Sequence, residues 1–294
     1  MTAAHGEDRV RGFRFRRLEK PEEFRQAEDL QRSISDVEST AAVPASLQRV
    51  LQDNGGVVAG AFADIYLAGC CVATLGWDGT TLYYYAHLTV VRPEYQNHHV
   101  GYRLAAFLRD EVLRQGLDEV RWAFDPLSSR AAWLSVRKLG GSPDRYFTHY
   151  YGQPPDDAGG GLETDRLRVR WEIATPSVEQ RLAGVGPTRD QALQRWRTSG
   201  AIVETETGES GLRLPTAVSE PSGASAHLEV PFDLQSIREH EPASLRRWRH
   251  AVRDAFRAAQ DLGYVVDDFA VITEEHERRG FYLLAKGPPP ESSP

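Results

Sequence analysis

The stretch Val91-Arg92-Pro93-Glu94-Tyr95-Gln96-Asn97-His98-His99-Val100-Gly101-Tyr102-Arg103-Leu104 carries a strand into a helix across a short loop. Upstream, residues 81–91 are rich in Tyr, Thr and Val and read as a long strand, which Pro93 ends. Downstream, Leu104, Ala105, Leu108 and Val112 recur at helical spacing over 101–115, and Gly116 stops the helix. A helix N-terminus leaves backbone N–H groups without an intrahelical acceptor. Placed at the end of a strand and a tight loop, those donors and the helix dipole suit a pyrophosphate.

Working outward, Phe13 and Phe15 alternate with arginines in a first strand, and Pro21 opens a helix with Glu22 and Glu23 in its first turn. A second helix runs from Pro44 to Asn54-Gly55-Gly56. Two apolar runs, 57–63 and 65–75, flank Asp64 as a hairpin. After the helix at 101–115, Val120, Trp122 and Phe124 alternate in a buried strand that leaves through Asp125-Pro126. A helix at 129–139 and strands at 146–151 and 167–173 follow. The order through residue 173 is β-α-α-β-β-β-α-β-α-β-β. Composition then shifts at about 174, and Leu245, Trp248, Val252, Ala255, Phe256 and Ala259 place one apolar stripe on a long helix at 243–262. Strands at 265–273 and 280–285 close the chain. The organisation expected is a disordered lead-in 1–12, a first domain 13–173, a second α/β domain 174–287 and a disordered Pro/Ser-rich tail 288–294.

At 294 residues the chain is long enough for about two domains. Hydrophobic and charged contents of 40% and 26% are those of a globular protein. A net charge of −7 argues against a nucleic-acid partner. The polar N-terminus lacks a signal core, and no apolar run approaches the ~20 residues of a membrane span, so a cytoplasmic protein with no membrane partner is expected. Cys70 and Cys71 are adjacent in a strand and point to opposite faces, one toward core and one toward surface. They supply no disulfide framework and no metal-ligand spacing. Glu274-Glu275-His276-Glu277 reads as a solvated charge run in a hairpin turn, and Gly159-Gly160-Gly161 as a flexible loop; no metal is expected.

The loop resembles the acyl-CoA signature of the GNAT superfamily, Val-x-Pro-x-x-Gln/Arg-Gly-x-Gly-Ile-Gly/Ala followed by a helix. The order of elements through residue 173 is similar to that fold too. The resemblance implies an α+β architecture with a mixed sheet whose central strands, here 81–91 and 119–124, splay apart. It implies acyl-CoA, acetyl or succinyl, as co-substrate. The pyrophosphate would lie on Gln96, Asn97, His98, His99, Val100, Gly101 and Tyr102, and the pantetheine arm along the backbone of Leu88, Thr89, Val90 and Val91. Asn97 and His99 stand where the pattern has glycines; both types tolerate left-handed backbone angles better than most. A second set, Trp122 to Arg130 with Ala132, Lys138-Leu139-Gly140, Tyr150-Tyr151-Gly152 and Gly161 to Leu167, resembles a bacterial GNAT subfamily with an extended C-terminal half, associated with N-acylamino acid racemase. That resemblance runs on to Trp248-Arg249, Phe256 and Gly263-Tyr264 and implies an amino acid as the amine acceptor.

Amine attack on a thioester needs a neutral amine, hence a base. Strand alternation puts Tyr85, His87 and Thr89 on one face, and the glutamate many GNAT enzymes carry near Tyr85 is absent. His87 is the candidate base, with a pKa range suited to neutral pH. Asp125, at the open end of its strand, is the candidate contact for the acceptor amine. The tyrosine acid of many family members aligns with Val136, and their helix asparagine with Ala131. Proton delivery is therefore expected from Tyr150, from Tyr146 or Tyr151, or from water. Arg130, following the Asp-Pro turn, is the candidate clamp for a carboxylate on the acyl chain or acceptor. A non-catalytic acyl-CoA-binding module and a protein N-acetyltransferase are the competing readings. The C-terminal region is expected either to close an acceptor pocket or to build a homodimer interface.

Overall fold

The computed structural model describes residues 8–10, 12–34, 42–152, 162–274 and 276–287. The lead-in before residue 8, the Gly159-Gly160-Gly161 loop, Glu275 and the tail 288–294 lie outside them. The chain divides into two compact units. One runs to Trp122 and takes back Trp171–Thr175; the other holds Ala123–Arg170 and the chain from Pro176. The chain crosses between the units three times, after Trp122, after Arg170 and after Thr175, and the expected boundary at 173 lies inside the short returning segment Trp171–Thr175. The first crossing falls inside a strand, where no change of composition marks it.

In the first unit, β1 (Asp8–Val10) pairs antiparallel with β2 (Phe13–Arg17), a strand inside the segment read as a lead-in. Next come α1 (Pro21–Ile34), α2 (Ala45–Asp53), β3 (Val57–Ala63), β4 (Tyr66–Trp77) and β5 (Leu82–Val91). A single 3-10 turn, Pro93–Tyr95, leads to α3 (Val100–Arg114) and β6 (Glu119–Phe124). The sheet order is β1-β2-β3-β4-β5-β6. Every neighbour is antiparallel except β5 and β6, which are parallel across α3. Helix α1 buries Phe24, Ala27 and Leu30, spaced three apart, against Val58, Phe62, Cys70 and Val72 of the sheet.

The register of β4 on β5 slips once: Val72 faces Leu88, but Ala73 faces Ala86. His87 is the extra residue of a β-bulge, which reverses the alternation of side chains beyond it. Before the bulge, the Tyr84 hydroxyl meets Gly55 O and the Gln115 amide at the end of α3. After it, Leu88 and Val90 pack into the cluster under α1. Tyr85 and Thr89 therefore point to opposite faces, and the single face expected for Tyr85, His87 and Thr89 does not form. Helices cover both faces of β4, so Cys70 and Cys71 are both buried, neither at the surface. Burial pushes both thiol pKa values up, that of Cys71 to about 11.

The second unit begins with α4 (Ser129–Ala132), which passes directly into a π-helix, Trp133–Lys138. A single helix was expected here. Its wider winding is visible in Leu139 N–H, which donates to Leu134 O, five residues back. β7 (Ser142–Phe147) pairs antiparallel with β8 (Arg166–Glu172). The strand expected over 146–151 stops at Phe147, because His149 turns to a φ of 52° and its N–H binds Asp165. Then follow α5 (Pro176–Leu182), α6 (Arg189–Thr198), β9 (Gly200–Ala201), β10 (Val203–Thr207), β11 (Arg213–Val218) and β12 (Ser225–Val230). The chain closes with α7 (Leu234–His240), α8 (Pro242–Asp261), β13 (Tyr264–Glu274) and β14 (Glu277–Lys286). A sheet of order β13-β14-β12-β9 and a β10-β11 hairpin result. Helix α8 buries the whole stripe from Leu245 to Ala259 that its sequence marks.

Glu23 shows how α1 is fastened. Its carboxylate accepts from both Arg16 Nη atoms (3.0 and 2.7 Å) and from the backbone N–H of Glu19 and Lys20 (2.8 and 3.3 Å). Burial alone would raise its pKa, but these donors outweigh it and lower the value from 4.5 to about 2. The stabilisation is therefore complete above the unfolded value and is lost as pH falls from 4.5 toward 2. Glu23→Gln should cost about 2 kcal/mol at pH 7. In urea titrations, the gap between variant and wild type should shrink toward zero at pH 2.

Candidate functional site

The parallel register of β5 on β6 pairs Tyr84 with Val120 and Tyr85 with Arg121, and goes no further. Pairing stops immediately before the bulge at His87. The paired end is pinned by side chains: Arg121 lies 3.8 Å from the Tyr83 ring centroid, binds Asp78 at 2.8 Å and also pairs with Glu119. Over 86–91 one edge of β5 bonds to β4, while alternate backbone N–H and C=O groups face outward along the side that β6 has left. Such an edge can take an extended, amide-bearing chain as an added strand.

This open edge runs straight into the loop. Arg92 N–H and Nε hold it to Ala68 O and Leu67 O (2.9 and 2.8 Å), and the Gln96 side chain donates back to Val91 O at 3.2 Å. Asn97 and His99 both adopt left-handed angles, φ 65° and 63°. They stand at the two positions where the sequence pattern has glycine. Val100 is buried, whereas Asn97, His98 and His99 are exposed at the mouth of the loop. Helix α3 starts at Val100 with His99 as its N-cap and no side-chain cap. Its first-turn N–H groups thus point into the loop without a capping side chain, a cradle for an anion.

His87 is half-buried on the bulge, and burial lowers its pKa below the ordinary 6.5. Its imidazole is neutral at pH 7 and available to accept a proton. Leu88 and Val90 turn their side chains into the core, and Thr89 is exposed. Only the backbone of these residues lines the open edge. The structure therefore brings His87, Leu88, Thr89, Val90, Val91 and residues 96–102 together in the first unit.

Asp125, Arg130 and Tyr150 belong to the second unit. Asp125 is already engaged: Arg249, fully buried, forks onto both its oxygens at 2.8 Å, and Leu127 N–H adds a third bond at 2.9 Å. Burial would raise the carboxyl pKa, but Arg249 draws it below the usual range. Asp125 is thus an ionised anchor for the turn after β6 rather than a free base. Tyr282 donates to the neighbouring Pro126 O at 2.9 Å and fixes the same turn. Arg130 is exposed in α4. Tyr150 is 39% exposed and packs edge-on against Tyr151, 4.8 Å between centroids. Tyr146 donates to Asp165 at 2.7 Å, and burial with that carboxylate pushes its pKa far up; Arg253 clamps the same Asp165 at 2.8 and 2.9 Å. Arg249 and Arg253 are one turn apart on α8. Sequence reasoning placed α8 correctly but assigned these arginines no role, because their partners lie about 90 to 120 residues away. Glu274 and Glu277 pair with Arg279 and Arg213. Among the described residues no cluster could hold a metal ion, and no helix is long and apolar enough to cross a membrane.

A parallel pair of strands that part at a bulge, and a loop of left-handed residues leading to an uncapped helix, form an open backbone edge that ends in an anion cradle. Residues 21–140 match the family model described as Acetyltransferase (GNAT) family, and the chain carries a GNAT acetyltransferase domain. Similar solved structures include the ribosomal-protein-S18-alanine N-acetyltransferase of Escherichia coli, 17% identical, covering 55% of this chain and 95% of its own, TM-score 0.44. An N-acetyltransferase of Staphylococcus aureus Mu50 is 10% identical over 55% of this chain and 98% of its own, TM-score 0.45. An aminoglycoside 6'-N-acetyltransferase solved with coenzyme A is 16% identical over 55% and 97%, TM-score 0.43. No curated protein sequence matches the chain.

Two outcomes follow from this geometry. Glycine adopts left-handed angles freely and a β-branched residue does not. His99→Gly should leave the denaturant midpoint unchanged or raised, and His99→Val should cost about 1–2 kcal/mol. Arg249→Met strands the Asp125 carboxylate and should cost about 3–5 kcal/mol in urea unfolding, part of which Asp125→Asn in the same chain restores.

Proposed function

We propose that the chain is an acyl-CoA:amine N-acyltransferase that moves an acetyl or succinyl group to the amine of a small molecule, with an amino acid as the expected acceptor. The observation that carries this reading is the end of β5–β6 pairing at the His87 bulge, which leaves a backbone edge leading into the left-handed loop. The fit is chemical at both ends. Backbone amides along 88–91 match the amides of a pantetheine arm, and the N–H groups over 96–102 match a pyrophosphate. That Asn97 and His99 take glycine-like angles answers the departure from the family's glycines.

The co-substrate supplies a thioester whose carbonyl carbon is open to an amine. His87 holds a neutral imidazole at the bulge and removes the proton that the attacking amine must lose. A backbone N–H of the open edge, near Val91, donates to the oxygen on which negative charge develops. The thiolate is protonated by water. A second reading, an acyl-CoA-binding module without catalysis, is favoured by Val136, which is only 2% exposed where many relatives carry the tyrosine acid.

Calorimetric titration with acetyl-CoA and succinyl-CoA, followed by thiol release with and without amines, tests the two readings. Micromolar binding with amine-dependent release supports the enzyme, binding alone the module, and no binding removes both. His87→Ala should lower turnover by about 10²–10⁴ while leaving acyl-CoA affinity within a few-fold. Because the pKa of His87 is depressed, the acid limb of the wild-type pH profile should lie below pH 6.5 and be absent from the variant. Unchanged turnover in that variant would take His87 out of the mechanism.

A further inference from the structure

The second unit contains a cleft of about 270 Å³ that the acyltransferase reading does not use. Its floor is apolar: Ala192 of α6, with Ala270 and Ile272 of β13, all at most 3% exposed. Trp133 forms one wall. Three guanidinium groups, Arg137, Arg189 and Arg278, stand around this floor, each from a different element. Among the described residues, no carboxylate lines the cleft.

The charge balance at the rim is positive. Arg137 is paired with Asp268, but Arg181 shares that same carboxylate at 3.5 Å, so two cations meet one anion there. Arg137 also donates to Pro187 O, which leaves part of its five-donor fork uncommitted. Arg278 lies 4.4 Å from the Phe232 ring centroid. Two described acids of the same hairpin are engaged elsewhere, Glu274 with Arg279 and Glu277 with Arg213. Among the described residues no carboxylate pairs with Arg189 or Arg278. Arg189 sits in the first turn of α6, whose N-terminal dipole end adds to the positive field. Trp133 and Arg137 are both on the π-helix, a winding found at functional sites more often than elsewhere.

An apolar floor with an aromatic wall holds a flat or branched hydrocarbon body, and several forked cations at its rim hold a carboxylate or phosphate. We infer that this cleft is a binding site for a small organic anion with an apolar body. The cleft shares no lining residue with the acyl-CoA edge, and the inference does not rest on the acyltransferase reading.

The test is calorimetry on the full chain with four probes: benzoate, phenyl phosphate, inorganic phosphate and benzyl alcohol. Saturable binding of benzoate or phenyl phosphate is expected, with inorganic phosphate and benzyl alcohol each at least tenfold weaker. Arg189 and Arg278 are exposed, so Arg189→Ala/Arg278→Ala should fold, as unchanged circular dichroism would show. This double variant should bind the aromatic anions at least tenfold more weakly, and Trp133→Leu should also weaken them. Saturating acetyl-CoA should not displace them. Absence of saturable binding overturns the proposal. So does an affinity untouched by the arginine variants, displacement by acetyl-CoA, or equal binding of inorganic phosphate and phenyl phosphate. Acetyl-CoA affinity, read on the same samples, reports on the first unit alone, so either site can fail without the other.

Discussion

One inserted residue governs the first unit. A regular pairing of β4 with β5 would carry β5 on beside β6 and would consume the backbone groups of 86–91 in sheet hydrogen bonds. The bulge at His87 twists β5 where the parallel pairing ends. Arg121, stacked on Tyr83 and tied to Asp78, keeps the strands joined on the other side of that point. Opening at one end and fastening at the other are thus two halves of one arrangement.

The second unit is organised differently, around buried ion pairs that converge from α8. Arg249 and Arg253 reach Asp125 and Asp165, and Tyr146 and Tyr282 add hydroxyl donors to the same region. Buried pairs of this kind contribute little net stability over apolar packing, yet each leaves a costly orphan if one member is removed. Their value is geometric. The turn after β6, the β7–β8 hairpin and the long helix are held in one register because each carboxylate has a single fork it can satisfy.

The local grammar of the chain was legible without coordinates. The two helix starts at Pro21 and Pro44, the strand at 81–91, the helix at 101–115 and the stripe on α8 all follow from periodicity and capping residues, and the structure keeps them within a residue or two. Asn97 and His99 were readable too, because the pattern demanded left-handed angles and these residue types allow them. What was not legible is what depends on distant partners. Nothing near Asp125 announces Arg249, so a carboxylate that is locked looked available. The bulge at His87 arises from a slip between two strands and leaves no mark on either alone, which is why simple alternation misplaced Tyr85 and Thr89. The π winding after Ala132 has the composition of an ordinary helix. The chain leaves the first unit in mid-strand, where composition does not change.

The burial of Cys70 and Cys71 has a practical side. They are the only thiols of the chain, and both are held protonated at working pH inside the sheet. A thiolate, not a thiol, reacts with disulfide and maleimide reagents. The folded protein is therefore chemically silent toward them. Any thiol set free during a reaction can be counted continuously in its presence, and one cysteine introduced on the surface would take a spectroscopic label with neither native residue removed.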